Sequence, residues 1–549
     1  MHRGRRDRIN LGSSIFRNFI EDDCLFVDKS AFVEHVLDDS SSVLLFTRPR
    51  RMGKSLNLDM LRTFLDFGQD AVGEGLFKGL YIETSPYFSQ AGRAPVIYLN
   101  FRDCRMKSYK TDYVLKIMEQ ISRYLREDQY SASMRLALSN PEIYAHQLLR
   151  LLIENLKAVY AAPYMKPYVL IDEYDKLIMD SVGQPEFDEV RSFTKTVLSM
   201  ALKDNAALGK GVLTGVNRIA QESMFSDLNN IKVYDVLTES VYDADFGFTE
   251  REVREICTDA EINDVRQWYN GYRVGGEKVY FTFSVMSYLA SGRLDNYWGK
   301  SGIIDSIKRH LTAERFDTLT EIVGGFGASA MRVRIKDRLS AEDLLHYAGD
   351  ESFYSLLVQT GYLTYERTDT WSEYDVSLPN LELESVWRDF ILTKFYNTRA
   401  STVAGALETI ATPERFAAVF TELLDDKLSY FDFEAKTPER THHVFVAGLL
   451  AAAGVRFRSN RESGLGRFDI TALLADKTII FEFKRTQEGE QPESAAARAI
   501  SQIIEKGYAH DTQNAPRNLP VYAVGVGFSG KTCVARAQQL HPESGETRT

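Results

Sequence analysis

Asp469, Glu482 and Lys484 have the types and spacing for metal-dependent cleavage of a phosphodiester. The two carboxylates offer hard oxygen ligands for Mg²⁺, with Mn²⁺ as an alternative cation. Such a cation acidifies a bound water and stabilises charge on phosphate oxygens. Lys484 would orient that water or neutralise the transition state. Glu439 could add a third acidic group, and Gln502 lies on the helical stretch that follows. D…E-x-K alone is a weak pattern. An exposed hairpin with a surface ion pair worth ~0–1 kcal/mol accounts for it at least as well.

A second set lies near the N-terminus. Thr47-Arg48-Pro49-Arg50-Arg51-Met52-Gly53-Lys54-Ser55 follows the apolar run Val43–Phe46 and opens a helical pattern. It reads as G-x-x-x-x-G-K-[S/T] with Arg48 in place of the first glycine. Backbone N–H groups and the dipole at a helix start favour phosphate. Gly53 would let the backbone approach ATP closely. Lys54 would reach its β- and γ-phosphates, and Ser55 would ligate Mg²⁺. Arg48, Arg50 and Arg51 add positive charge beside the loop. The other half of such a site is an apolar strand ending in acids, and Tyr168–Glu173 is one. Asp172 would hold the magnesium shell, and Glu173 would polarise the attacking water. Thr214, ending the run from Gly211, is either a γ-phosphate sensor or part of a strand-end turn.

The elements that must position these residues follow from periodicity. From about 41 to 245, apolar strands near 43–46, 96–101, 168–173 and 211–216 alternate with helical stretches. That predicts a parallel sheet with helices on both faces and ligands at the carboxyl ends of its strands. From about 246 to 400 the chain reads as mainly helical, a lid whose aromatic pieces at 268–272 and 279–283 pack its interior. A helix followed by a two-stranded ribbon near 351–388 resembles a winged-helix element. Without an Arg or Lys cluster along it, interdomain packing is the better reading. Near the C-terminus, apolar strands flank Ala475-Asp476-Lys477, which predicts a hairpin. Glu482 and Lys484, two apart, share one face. The expected α-β-β-α-β order is that of a restriction-endonuclease-like domain. The fold class is therefore α/β throughout, with domains at 1–245, 246–400 and 401–549.

Composition narrows the setting. The chain has 549 residues, 44% hydrophobic and 26% charged, with net charge −11. That is too long for one ordinary core and typical of globular proteins. The charge argues against coating nucleic acid, though not against a local basic groove. No apolar run approaches the ~18 residues of a membrane span, so no membrane partner and a cytoplasmic location are expected. The four cysteines and nine histidines show no zinc spacing.

Both sets together resemble a bacterial AAA-ATPase-like family whose members carry a C-terminal PD-(D/E)XK nuclease superfamily domain. The resemblance spans nearly the whole chain. Its motifs are Leu25–Ser30, Thr47–Ser55, Leu170–Asp175, Leu213–Val216, Leu228–Asn230, Gly247–Glu250, Trp268–Tyr272 and the Asp469…Glu482-x-Lys484 hairpin. The loop without its first glycine looks like the family's own pattern. One departure is Phe281-Thr282-Phe283, where relatives usually read Asn-Pro-Trp. The resemblance implies ATP binding and a nuclease fold. The resulting expectation is an ATP-regulated, Mg²⁺-dependent hydrolase of nucleic acid, DNA ahead of RNA, acting in defence against foreign DNA and open to homo-oligomer formation. The alternative is a nucleotide-switched binding or signalling module with a non-catalytic nuclease-like domain.

Overall fold

Alternating apolar strands and helices between residues 43 and 234 build a five-stranded, all-parallel sheet. Its strands are β1 (Val43–Thr47), β2 (Val96–Asn100), β3 (Tyr168–Asp172), β4 (Lys210–Gly215) and β5 (Ile231–Tyr234), in spatial order β2-β3-β4-β1-β5. The computed structural model describes residues 2–540 except 72, 161, 163, 219–229, 300–314, 316–318, 321, 324–329, 341–342, 344–348, 392–398, 429–438, 460–461, 464–465, 468, 507–518 and 531. Residues 228–229 of the Leu228–Asn230 motif and the side chain of Glu439 lie outside the described residues.

Every residue of β1 and β3 is buried, as expected when helices cover both faces of a parallel sheet. Successive side chains alternate between layers. Val43 and Leu45 join one core cluster, and Leu44 and Phe46 the other. The register aligns Phe46 with Thr214 and Asn100 with Asp172, so these strands end on one edge. The helix α1 (Lys54–Leu65) leaves that edge directly after β1.

The stretch expected to be mainly helical contains more strand than its sequence suggested. Phe248–Thr249, Tyr272–Val274 and Glu277–Tyr280 form an antiparallel three-stranded sheet. Gly275-Gly276 supplies its tight turn, a Gly pair suited to a two-residue hairpin loop. The aromatic pieces therefore pack from a hairpin, with Tyr269, Tyr272, Tyr280 and Phe281 buried. The winged-helix-like element consists of the helix Asp350–Thr360 and the strands Thr364–Arg367 and Glu373–Ser377, joined by a third strand, Met331–Arg334. That strand adds Arg332 and Arg334, both exposed and both matched by acids. Arg332 lies 3.1 Å from Asp375, and Arg334 lies within 4.0 Å of Glu351 and Glu373.

The chain divides into two compact units, residues 1–300 with 332–382 and residues 301–331 with 383–549. The second holds a mixed five-stranded sheet, β6 (Arg456–Ser459), β7 (Ile470–Leu473), β8 (Thr478–Arg485), β9 (Val521–Ser529) and β10 (Thr532–Leu540), in that spatial order. The expected hairpin is β7–β8, with Ile470 opposite Phe481. Strands β8 and β9 are parallel and need a crossover, which is the helix α2 (Pro492–Glu505). Gly525 and Gly527 let this helix lie close on β9. A Cβ at either would collide with the carbonyl of Ala496 or Pro492. The sequence reading lacked the first and last strands of this sheet. The parallel and mixed sheets bear out the α/β class. Among the described residues, no helix is long and apolar enough to cross a membrane, and the four cysteines are free.

Candidate functional site

The edge where β1, β2, β3 and β4 end gathers the first constellation around one carboxylate. Asp172 is fully buried and accepts from Ser55 Oγ at 2.6 Å, Thr214 Oγ1 at 2.6 Å and Asn100 Nδ2 at 3.1 Å. Its own neighbour, the Glu173 N–H, donates at 3.1 Å. The residues expected to share a magnesium shell, Ser55 and Asp172, are thus in direct contact. Asn100, missed from sequence, had the signal that singled out Thr214: a polar residue ending an apolar strand.

The loop itself is closed on its lysine. Lys54 Nζ donates to the carbonyls of Arg48 at 2.9 Å and Pro49 at 2.7 Å. Burial lowers its ammonium pKa to about 8, while Asp172, Asp175 and Glu173 pull it back up. Met52 is buried, and its carbonyl accepts from Gly247 N at 3.1 Å. Gly53 has φ +82°, and a Cβ there would meet nothing within 4 Å. Its requirement is therefore conformational. Arg51, with φ 63°, also sits in the left-handed region, which costs a non-glycine residue roughly 1–2 kcal/mol.

Arg48 explains why the first glycine can be absent. It has no positive φ, and its N–H continues the sheet by donating to Gly215 O at 3.1 Å. No glycine is needed there. Its side chain turns away from the loop into the interior. The guanidinium donates to Thr47 O at 2.9 Å and Tyr234 O at 2.7 Å and lies 5.2 Å from the Phe246 ring centroid. Its Nε and second Nη have no hydrogen-bond partner among the described residues. Burial lowers its pKa, opposed by Asp235, Asp243 and Asp245. The positive charge expected beside the loop at Arg48 is instead in the core.

Glu173 follows Asp172 with φ 53°, a second left-handed non-glycine residue at this edge. Such backbone conformations concentrate at functional sites. Burial raises its carboxyl pKa, and Arg102, 3.6 Å away, counters that. Arg102 carried no sequence signal, because it follows its strand in a short 3₁₀ turn. Asp175, also missed, is buried and accepts from the N–H groups of Val216 at 3.1 Å and Asn217 at 2.8 Å. It locks the acidic strand end onto the Thr214–Asn217 turn.

The second constellation sits where β7 and β8 meet. Asp469 Oδ2 accepts from the Phe483 N–H at 2.9 Å, which binds the residue before β7 to the second half of β8. Lys484 Nζ lies 3.0 Å from Glu482 Oε1, and Gln502 Nε2 on α2 donates to the same oxygen. His443, buried and unforeseen, places Nε2 3.0 Å from the Asp469 carbonyl. Glu482 is buried, and its Oε2 has no hydrogen-bond partner among the described residues. Burial pushes its carboxyl pKa up to about 7, Asp469's charge adds to that, and Lys484 opposes it. A cation would meet an unused oxygen and relieve crowding between two acids, so the donor set fits one. No group of three or more His, Cys, Asp or Glu side chains that could hold a metal occurs among the described residues. Water or phosphate oxygens would complete the shell, as is usual for Mg²⁺.

Comparison with known proteins agrees with this division. Residues 10–225 match the family described as predicted AAA-ATPase, AAA-ATPase-like. Residues 437–538 match the PD-(D/E)XK nuclease superfamily. The chain therefore joins an AAA-ATPase-like domain to a C-terminal PD-(D/E)XK nuclease superfamily domain, as the sequence resemblance implied. It is also similar to a protein of Azotobacter chroococcum mcd 1 described as an uncharacterized protein in the vnfD 5′ region. The two are 28% identical over 546 residues, covering 95% of this chain and 97% of the relative.

Proposed function

We propose that the protein is an ATP-regulated, Mg²⁺-dependent nuclease that cleaves nucleic acid, DNA ahead of RNA, in defence against foreign DNA. The observation that carries this reading is the buried Glu482 Oε2, without a hydrogen-bond partner among the described residues, beside Asp469 and Lys484. Asp469 and Glu482 would hold Mg²⁺, or Mn²⁺ in its place, which supplies an acidified water and charge neutralisation at the phosphate. Lys484 holds positive charge against the scissile group, and Gln502 fixes the rotamer of Glu482. In the other domain, Lys54 and the loop N–H groups would bind phosphates, Ser55 and Asp172 would hold the nucleotide's Mg²⁺, Thr214 would orient Asp172, and Glu173 would polarise water.

A plasmid-nicking assay on the full-length protein tests this, with Mg²⁺ or Mn²⁺ and with ATP, ADP or no nucleotide. Cleavage that depends on the cation and responds to nucleotide is expected, and Lys484→Ala should abolish it. A second reading is favoured by the closure of Lys54 on its own loop and by the net charge of −11. In that reading the protein is a nucleotide-switched binding module. Tight ATP binding with no cleavage under any of these conditions would establish it instead.

A further inference from the structure

Glu382 is buried, ionisable and unused by either proposed reaction. It lies at the start of the helix Leu381–Phe390. Ser284 Oγ donates to its two oxygens at 3.0 and 2.8 Å, and the N–H groups of Tyr297 and Trp298 donate at 2.8 Å each. Burial pushes its carboxyl pKa up to about 7, against the pull of these donors and of Arg51.

The segments that Glu382 holds also grip the phosphate-binding loop. The Trp298 indole N–H donates to Arg50 O at 3.3 Å. Thr282 Oγ1 donates to Arg51 O at 2.9 Å. The Arg51 guanidinium donates to Tyr297 O and lies 4.3 Å from the Phe283 ring centroid. Trp298 stacks on Phe281 at 5.4 Å and meets the edge of Tyr362 at 4.8 Å. These contacts hold Arg51 in its left-handed conformation.

Phosphate binding requires the loop N–H groups to converge on the ligand. Each peptide plane carries one residue's C=O and the next residue's N–H as a rigid unit. Turning the N–H of Arg51 or Met52 therefore moves the carbonyl of Arg50 or Arg51. Those carbonyls are held by Trp298 and Thr282, and Trp298 is in turn held by Glu382. A buried carboxylate stripped of its donors is left with an uncompensated desolvation cost. The cheaper response is for the gripping segments and Glu382 to shift together.

We propose that Glu382 is a positioning residue that ties the phosphate-binding loop to the helix Leu381–Phe390, so that nucleotide occupancy is reported to one of the two segments where the chain passes from the first unit into the second. The proposal rests on reading the loop as an ATP site. Hydrogen–deuterium exchange on the full-length protein, with and without a non-hydrolysable ATP analogue and Mg²⁺, tests it. In the wild type, the analogue should change exchange at 49–55, 282–298 and 381–390. Glu382→Gln should bind the analogue within about threefold of wild type yet lose the response at 381–390. Trp298→Phe keeps a ring but removes the donor to Arg50, and should weaken the same response. It decides the matter if Glu382→Gln does not fold. A wild type that binds the analogue without a response at 381–390, or variants that respond as wild type does, overturns the relay alone. A wild type that does not bind the analogue overturns both the relay and the ATP site.

Discussion

Asp172 ends β3 and Glu482 lies within β8; both are buried acids, one in each candidate site, and their surroundings differ. Asp172 is matched by protein donors: Ser55, Thr214, Asn100 and the Glu173 N–H. Glu482 keeps one oxygen without a hydrogen-bond partner among the described residues and faces a second acid. The first arrangement is a completed hydrogen-bond network that can be rearranged. The second is crowded with charge that a cation would relieve. Under the proposed function, the control element and the catalytic one would differ in how far the protein satisfies its own acids.

The largest expected effect separates the two regions outright. Glu482→Gln should lower cleavage by roughly 10²–10³-fold while fluorescent-ATP binding stays at the wild-type level. Equal loss of both in that variant would break the comparison. Next comes pH. The Glu482 carboxyl, raised to about 7, is ionised only above that value. At subsaturating Mg²⁺, cleavage should climb about tenfold per pH unit below 7 and level off above it. The stability sign runs the other way. An acid whose folded pKa is raised favours the fold when protonated. This contribution is complete below the ordinary carboxyl pKa and is lost as pH rises through about 7. A melting temperature of the second unit that rises between pH 5 and 8 would contradict the burial argument.

The smallest effect contrasts two glycines. Gly527→Ala forces a Cβ into the Pro492 carbonyl and should destabilise the second unit by about 1–3 kcal/mol. Gly53→Ala meets no atom and should cost only the ~1–2 kcal/mol of a left-handed alanine. Thermal denaturation of each variant, followed by limited proteolysis to locate the weakened unit, sharpens or erases this difference.

Much of this was legible in sequence. Strands β1 to β4 were visible because buried parallel strands are near-continuous apolar runs. The hairpin at 470–485 was visible because a polar turn separates two such runs. Strand β5, Ile231–Tyr234, escaped because Lys232 interrupts a four-residue run. The strand Met331–Arg334 escaped because its apolar–charged alternation lasts only four residues and its partners lie beyond a helix. Asp172, Ser55 and Thr214 could be grouped because each ends or follows a readable element. The destination of Arg48 could not be read, since it depends on Tyr234 O and Phe246, which only the folded sheet brings near. The left-handed Arg51 likewise depends on residues 282–298, distant in sequence and adjacent only in the fold.

The Trp298 indole, bonded to Arg50 in the Thr47–Ser55 loop, makes the chain its own optical probe. Trp371 is 93% exposed and Trp268 is half-buried, so Trp371→Phe and Trp268→Phe together would remove the emitters that solvent reaches. Trp298 and Trp387 are almost wholly buried and keep their blue-shifted emission. Loop rearrangement could then be timed by stopped-flow fluorescence on unlabelled protein, giving a rate for the step that would precede any cut.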